Sequence, residues 1–274
     1  MTHRVLRHKV RARLFLGLCL ALCLSWGCRS RENLTPPLTI AGSTSVQPFL
    51  EKLAEVYLHR HPELCINVQG GGSSAGIYAA RQGAAQLGSS SRELADSEQD
   101  LHQFPIAWDG IAIIVHPSNP LQNLTVEELR QIFAGKLTDW LELDVFPHAI
   151  HVITREEGSG TRDTFEHILM GKEEITPRAL VQDSNGAVRE IVAADPYAIG
   201  YISAGLVDER VKAVPIDGIS PTPENIKSRR YKLARRFLLV CSAPPSGTAK
   251  SFLEFILSPD GQRLLEKEGL VSVK

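Results

Sequence analysis

Apolar residues recur along the chain in two alternating rhythms, short runs of strand length and longer stretches with one apolar face. Thr39-Ile40-Ala41 reads as a strand, and Val46, Phe49, Leu50, Leu53 and Tyr57 follow it at helical spacing. Pro48 falls in that helix's first turn, where its missing N–H costs nothing, and Pro62 ends the helix. Cys65 to Val68 predicts a second strand, with a short helix through Ala80 after it. Leu87 to Arg92 predicts a strand end, Ser97 to Phe104 a helix, and Ile106 to Val115 an apolar strand. Leu124, Leu129, Ile132 and Phe133 line one face of a helix capped by Thr125. Further strands are expected at Ala149–Thr154, Ile199–Ser203, Val211–Ile216 and Arg236–Cys241. The expected helices run from Ala187 to Ala194, Ser251 to Leu257 and Pro259 to Gly269. Strands alternating with helices predict an α/β fold with mostly parallel sheet.

One device repeats within this alternation: a strand, a Gly/Ser/Thr turn, then a helix start. It stands at residues 42–45, 72–76, 88–91, 158–161 and 184–187. In open α/β sheets ligands sit off the carboxyl ends of strands, at such turns. At residues 158–161, Gly158 and Gly160 permit a tight turn, and Ser159 and Thr161 supply hydroxyls. Arg155 adds a planar cationic fork. Two readings fit this segment equally: a site for a small oxyanion at a helix start, or a capped helix with a surface arginine. Three other patterns are weaker. Gly70-x-Gly72-x-x-Ala75 imitates a dinucleotide loop but follows the second strand. Gly71-x4-Gly76 has Ile77 where a phosphate loop needs Lys. Gly72-x-Ser74-x-Gly76 imitates the turn that presents a hydrolase nucleophile.

The chain has 274 residues, 43% of them hydrophobic and 22% charged, in the range of a globular protein with a substantial core. Residues 1–27 differ: Arg4, Arg7, Lys9, Arg11 and Arg13 precede the apolar run Leu14 to Leu24, with no acidic residue. That is the pattern of an export signal. Gly27-Cys28 resembles a bacterial lipobox, so Cys28 is the expected lipidation site and residues 28–37 a tether. Without residues 1–27 the chain carries 25 Lys and Arg against 31 Asp and Glu, a formal charge of −6. An acidic body argues against nucleic acid. Cys65 and Cys241 remain, as a free pair or one disulfide. No spacing suggests a metal site or a cofactor.

Five ordered segments together resemble the phosphate-binding proteins of bacterial ABC phosphate transporters. They are Ile40 to Pro48, Gln69 to Ile77, Leu87 to Leu94, Arg155-x3-Ser159-Gly160-Thr161, and the pair Ala198–Ile202 and Ser258–Gln262. The resemblance runs from about Thr39 to the C-terminus. It implies a two-lobed periplasmic-binding fold of type II, each lobe a mostly parallel sheet flanked by helices, with the ligand in the cleft between them. Lobe I would comprise residues 38–113 and 241–274, and lobe II residues 114–240. Strands would cross near Ile111–His116 and Phe237–Ser242.

Carried over by position, Thr44, Ser45, Ser73, Arg155, Ser159, Gly160 and Thr161 would bind phosphate, with Ser43 beside them. Glu157 would pair with the arginine. Where some members have an Asp that accepts the proton of hydrogen phosphate, this chain has Ser91 and then Arg92. Ser91 is therefore the expected acceptor and donor, Asp109 or Asp183 the candidate replacement carboxylate, and Arg92 a candidate second ligand. The implied protein is a monomer without catalytic activity, on the periplasmic or outer face of the membrane. It would be lipid-anchored there and deliver phosphate to a permease. The alternatives are another oxyanion such as sulfate or molybdate, a phosphate sensor that feeds no permease, or a serine hydrolase.

Overall fold

A computed structural model of the protein describes residues 36–274. The expected export signal and Cys28 lie outside the described residues. The strands are β1 (Leu38–Gly42), β2 (Ile66–Gln69), β3 (Leu87–Ser90), β4 (His102–Val115), β5 (His151–Arg155), β6 (Leu180–Gln182), β7 (Ala198–Ser203), β8 (Lys212–Val214) and β9 (Ala234–Cys241). The helices are α1 (Gln47–Arg60), α2 (Ser73–Arg81), α3 (Val126–Phe133), α4 (Gly160–Phe165), α5 (Asn185–Ala194), α6 (Pro223–Lys227), α7 (Gly247–Ile256) and α8 (Pro259–Lys267). A π-helical turn, Glu166–Met170, extends α4.

The strands lie in the order β2-β1-β3-β9-β4-β7-β5-β6, with β8 also on β4. Pairing is parallel for β1 with β2 and β3, and for β5 with β6 and β7. Every pairing made by β4 or β9 is antiparallel. Parallel strands therefore sit at the flanks, and the centre is antiparallel.

Strand β4 serves both halves. His102 to Gly110 pair with β9, and Ile111 to Val115 pair with β7. On β9, Phe237, Leu239 and Cys241 face a core with Phe49, Leu53 and Phe252, whereas Leu238 and Val240 face one with Ile77 and Ala80. In the other half, Ile113, Phe133, Trp140, Phe165 and Tyr201 pack on one sheet face and Val188, Val192 and Ile202 on the other. Each half is thus a sheet covered on both faces, which is why its inner strands are apolar throughout rather than alternating. The pairing changes between Gly110 and Ile111 on β4, and β9 enters the first half at Ala234. The lobe boundaries expected at 113/114 and 240/241 fall within these two strands.

Two expectations need correction. Ser97 to Phe104 does not form a helix: a short 3₁₀ turn, Asp96–Glu98, precedes β4, which already begins at His102. Pairing with β9 overrides the local preference, and the register shifts between Pro105 and Ala107, where proline cannot donate. Cys65 and Cys241 are both free, Cys241 buried and Cys65 exposed, so they are neither a disulfide nor a buried pair.

Candidate oxyanion site

The five Gly/Ser/Thr turns meet where the two halves face each other. Their approach depends on glycine. A Cβ on Gly76 of α2 would lie 2.4 Å from the Ala41 carbonyl oxygen and 2.4 Å from the Gly42 Cα, so only glycine lets the helix pack directly on β1. That contact carries Ser73, at the start of α2, to the end of β3. There the Ser73 Oγ accepts the Ser91 N–H at 3.1 Å and lies 3.4 Å from the Ser91 Oγ. Ser43 follows β1, donating its hydroxyl to the Ser91 Oγ at 2.8 Å and accepting the Ser45 N–H at 3.2 Å. Ser43, Ser45, Ser73 and Ser91 are all buried.

The opposite jaw is the turn after β5. The Ser159 Oγ caps α4 by accepting the Arg162 N–H at 3.4 Å. A Cβ on Gly160 would fall 2.2 Å from the Ser73 Oγ and 2.9 Å from the Ser91 Oγ, so the jaws close on each other here. Other bonds cross the same seam. Ser45 Oγ and Thr161 Oγ1 are 2.7 Å apart, Ser74 N–H donates to the Gly158 carbonyl at 3.1 Å, and Thr164 Oγ1 donates to the Ser91 carbonyl at 3.3 Å.

Arg155, at the end of β5, is 1% exposed despite its charge. Its Nε and Nη2 each meet the Glu156 carboxylate at 2.8 Å, Nε also reaches the Gln182 carbonyl, and Nη2 donates to Thr44 Oγ1 at 3.0 Å. Its Nη1 is buried and has no hydrogen-bond partner among the described residues. A buried guanidinium N–H left unpaired is costly, so an acceptor is required at this point. Tyr201, stacked on Phe165 with centroids 4.2 Å apart, backs the arginine and bonds Thr154 Oγ1 at 2.8 Å. Burial pushes the Tyr201 hydroxyl well above the usual tyrosine range, so it stays neutral there.

The structure reassigns several expected residues. Glu157 is exposed, and its neighbour Glu156 makes the pair with Arg155. Glu156 lies in the turn just past β5, where strand alternation no longer holds, and its carboxylate folds back onto the guanidinium. Arg92 is not aimed into the site. Its Nη1 and Nη2 hold Glu98 at 2.7 and 2.9 Å, Nη2 also reaches Ser74 Oγ, and Nε sits 2.9 Å from Asp163 across the seam. Asp109 does not face the anion position either: its oxygens are taken by Ser203 Oγ at 2.8 Å and by Arg235 at 2.9 Å. Asp183 offers its carbonyl to Arg155 while the residue itself is exposed. Ser74, the nucleophile of the hydrolase pattern, accepts from Arg92 and has no histidine beside it among its hydrogen bonds.

Two buried residues at the site were not anticipated. Arg235, on β9, donates to Thr161 Oγ1 at 2.8 Å, Ser91 O at 3.3 Å and Ser45 Oγ at 3.3 Å. Asn185, opening α5, donates to Ser45 Oγ at 2.9 Å and accepts the Ser203 N–H at 3.0 Å. Burial raises the Asp109 carboxyl and lowers Arg235, each opposed by the attraction of the other. The pair remains ionic because a buried guanidinium does not give up its proton. Arg235 stands beside Arg236 at the head of an apolar strand, where one of two arginines must face inward. That alternation was the available signal. Asn185 lay inside the fifth turn already marked at 184–187.

The site thus joins hydroxyls, one guanidinium edge and a second, neutralised guanidinium, a donor-rich cage for a small tetrahedral anion. A family model described as the PBP superfamily domain matches residues 29–260. The phosphate-binding protein PstS of Bacillus subtilis (strain 168) is 32% identical over 252 residues, covering 89% of this chain and 83% of its own. A Clostridium perfringens structure with bound phosphate, assigned to the substrate-binding proteins of phosphate ABC transporters, superposes with a TM-score of 0.84 and 41% identity. The superposition covers 87% of this chain and 100% of that one. An ABC-type phosphate transport receptor of Vibrio cholerae gives a TM-score of 0.71 at 39% identity, over 85% and 99% of the two chains. The chain belongs to the PBP superfamily, and within it to the family of the phosphate-binding proteins.

Proposed function

We propose that this protein binds inorganic phosphate outside the cytoplasm and delivers it to the permease of an ABC importer, without covalent chemistry. The buried, unpartnered Arg155 Nη1 within a ring of hydroxyls carries this reading. A small oxyanion would satisfy that donor, and dehydrated anions need several donors at once. In this reading phosphate is held by Thr44, Ser73, Ser91, Arg155, Ser159, Gly160 and Thr161. Ser43 lies behind them, as does Ser45, expected as a ligand, since the Ser45 N–H and hydroxyl are taken by protein partners. Residues 38–110 with 234–274, and residues 111–233, act as two lobes that close on it. The bonds from Ser45 to Thr161 and from Ser74 to Gly158 support closure as the binding step.

The sequence of residues 1–28 supports export, removal of the signal and lipid attachment at Cys28. The protein would then work as a monomer tethered to the membrane. Globomycin treatment tests the anchor: an unprocessed, larger precursor should accumulate. Ordinary cleavage with no effect of the inhibitor would remove the anchor from the reading.

Calorimetry with phosphate, sulfate and molybdate tests the ligand. Phosphate is expected to bind at least about 100-fold more tightly than sulfate, because a site built around a hydrogen bond rejects analogues that lack it. Tight sulfate binding with no response to phosphate would overturn the assignment.

A further inference from the structure

The hydrogen bonds around Arg235, Arg155 and Asn185 fix the direction in which three hydroxyls point. Asn185 is oriented unambiguously, because its Oδ1 accepts the Ser203 N–H at 3.0 Å and the amide nitrogen must therefore face Ser45, at 2.9 Å. Ser45 Oγ also accepts from Arg235 Nη2 at 3.3 Å. A hydroxyl has two lone pairs and one proton, so Ser45 is left with its proton alone to offer. Thr161 Oγ1, 2.7 Å away, takes it. Thr161 Oγ1 accepts from Arg235 Nη1 as well, at 2.8 Å, which fills both of its lone pairs. Its own O–H has no further partner among the described residues. Thr44 Oγ1 is filled in the same way, by Arg155 Nη2 at 3.0 Å and Asn185 Nδ2 at 3.4 Å.

We infer that Arg235, held in place by Asp109, is a positioning residue for anion recognition: it makes Ser45 and Thr161 obligate donors, so that the chain of hydroxyls ends in one O–H delivered to the oxyanion. The relay is charge-headed, and each bond polarises the next. Arg235 adds little net charge, since Asp109 lies 2.9 Å from it. Its contribution is directional. The serines on the other side differ. Ser43, Ser73 and Ser91 receive only backbone N–H groups and hydroxyls, so they can turn to accept a proton. The site therefore has a fixed-donor side and a reversible side. The reversible side can take the proton of a hydrogen phosphate without any carboxylate.

This inference rests on the oxyanion reading above, and a double-mutant cycle read by phosphate calorimetry separates the two. Arg235→Lys keeps a cation for Asp109 but removes the fork to Thr161. Losing a charge-assisted bond should weaken phosphate binding about 10- to 100-fold with the thermal transition nearly unchanged. Thr161→Val should cost about as much in the wild type, but less than about threefold once Arg235 is Lys, because the two act through one bond. Additive costs, or Arg235→Lys binding within about threefold of wild type, would overturn the inference. If Arg235→Lys is poorly folded, Arg235→Met with Asp109→Asn removes both buried charges, and the same outcomes apply. Failure of both to fold would make Arg235 a structural strut and equally overturn it. A wild type that binds no phosphate would instead bring down the functional reading itself.

Discussion

Arg155 shows how one side chain can be held rigidly and still leave a hand free. Glu156 takes Nε and Nη2, the Gln182 carbonyl and Thr44 take the remaining directions, and Nη1 alone is uncommitted. Arg155→Ala should reduce phosphate affinity by at least about 100-fold, the range for a charged hydrogen bond together with its Coulombic part. The fold should survive, because Glu156 is partly exposed and can turn to water. Calorimetry beside a thermal melt checks both halves of that statement. Undiminished affinity would place the anion elsewhere. Arg155, Ser159, Gly160 and Thr161 were legible in the sequence because turn chemistry and a cation lie within seven residues. For Arg235 only an inward orientation was legible, from its alternation with Arg236, since its partners Ser45, Ser91 and Thr161 are at least 74 positions away. No local pattern encodes such a meeting. Asp109 illustrates the reverse error: a carboxylate near the site in space, yet occupied by another partner.

At the scale of elements, the jaws are closed by a few side chains on the turn before α4 and the turn after β3. Gly160→Ala would place a methyl 2.2 Å from the Ser73 Oγ. Overpacking of that kind should cost about 10- to 100-fold in phosphate affinity while circular dichroism stays unchanged, because the clash arises only between halves. An unaltered affinity would mean that the jaws meet less closely on binding. Arg92 forms a clasp beside them. Glu98 titrates below its ordinary 4.5 because Arg92 donates to it, so its stabilisation is complete above that value and is lost as pH falls through the lower folded value. Asp163 titrates above its ordinary 3.8, burial outweighing the pull of Arg92, so its charge is lost at a higher pH than that of an ordinary aspartate. The contact across the seam should therefore weaken as pH falls into the carboxylate range. Asp163→Asn should lower affinity only roughly 2- to 5-fold, as for a partly exposed pair, and should flatten the acid side of the affinity profile relative to wild type. A profile identical to that of wild type would exclude this clasp from closure. The helices and strands around these turns were readable from periodicity. The stretch from Ser97 to Phe104 was not, because its partner strand lies more than a hundred residues downstream.

For the whole molecule, the acidic surplus sets the long-range field against the ligand. The expected mature chain carries 25 basic and 31 acidic residues. Association of phosphate should therefore speed up modestly as salt rises from about 10 to 150 mM, over which the screening length shortens from about 30 to 8 Å. Stopped-flow measurements that show slower association with salt would mean that local donors steer the anion from a distance. The route of the chain has a different consequence, for the order of folding. Strands β1 to β3 and the first part of β4 flank β9, which comes from residues 234–241. Residues 111–233, in contrast, pair almost wholly among themselves. The interior segment can therefore organise alone, whereas the N-terminal sheet has a gap at its centre until nearly the whole polypeptide is present. During synthesis strands β1 to β3 therefore wait for their middle strand until nearly the whole chain has emerged. Pulsed hydrogen exchange should show amides of β7 and the second part of β4 protected before those of β3 and β9.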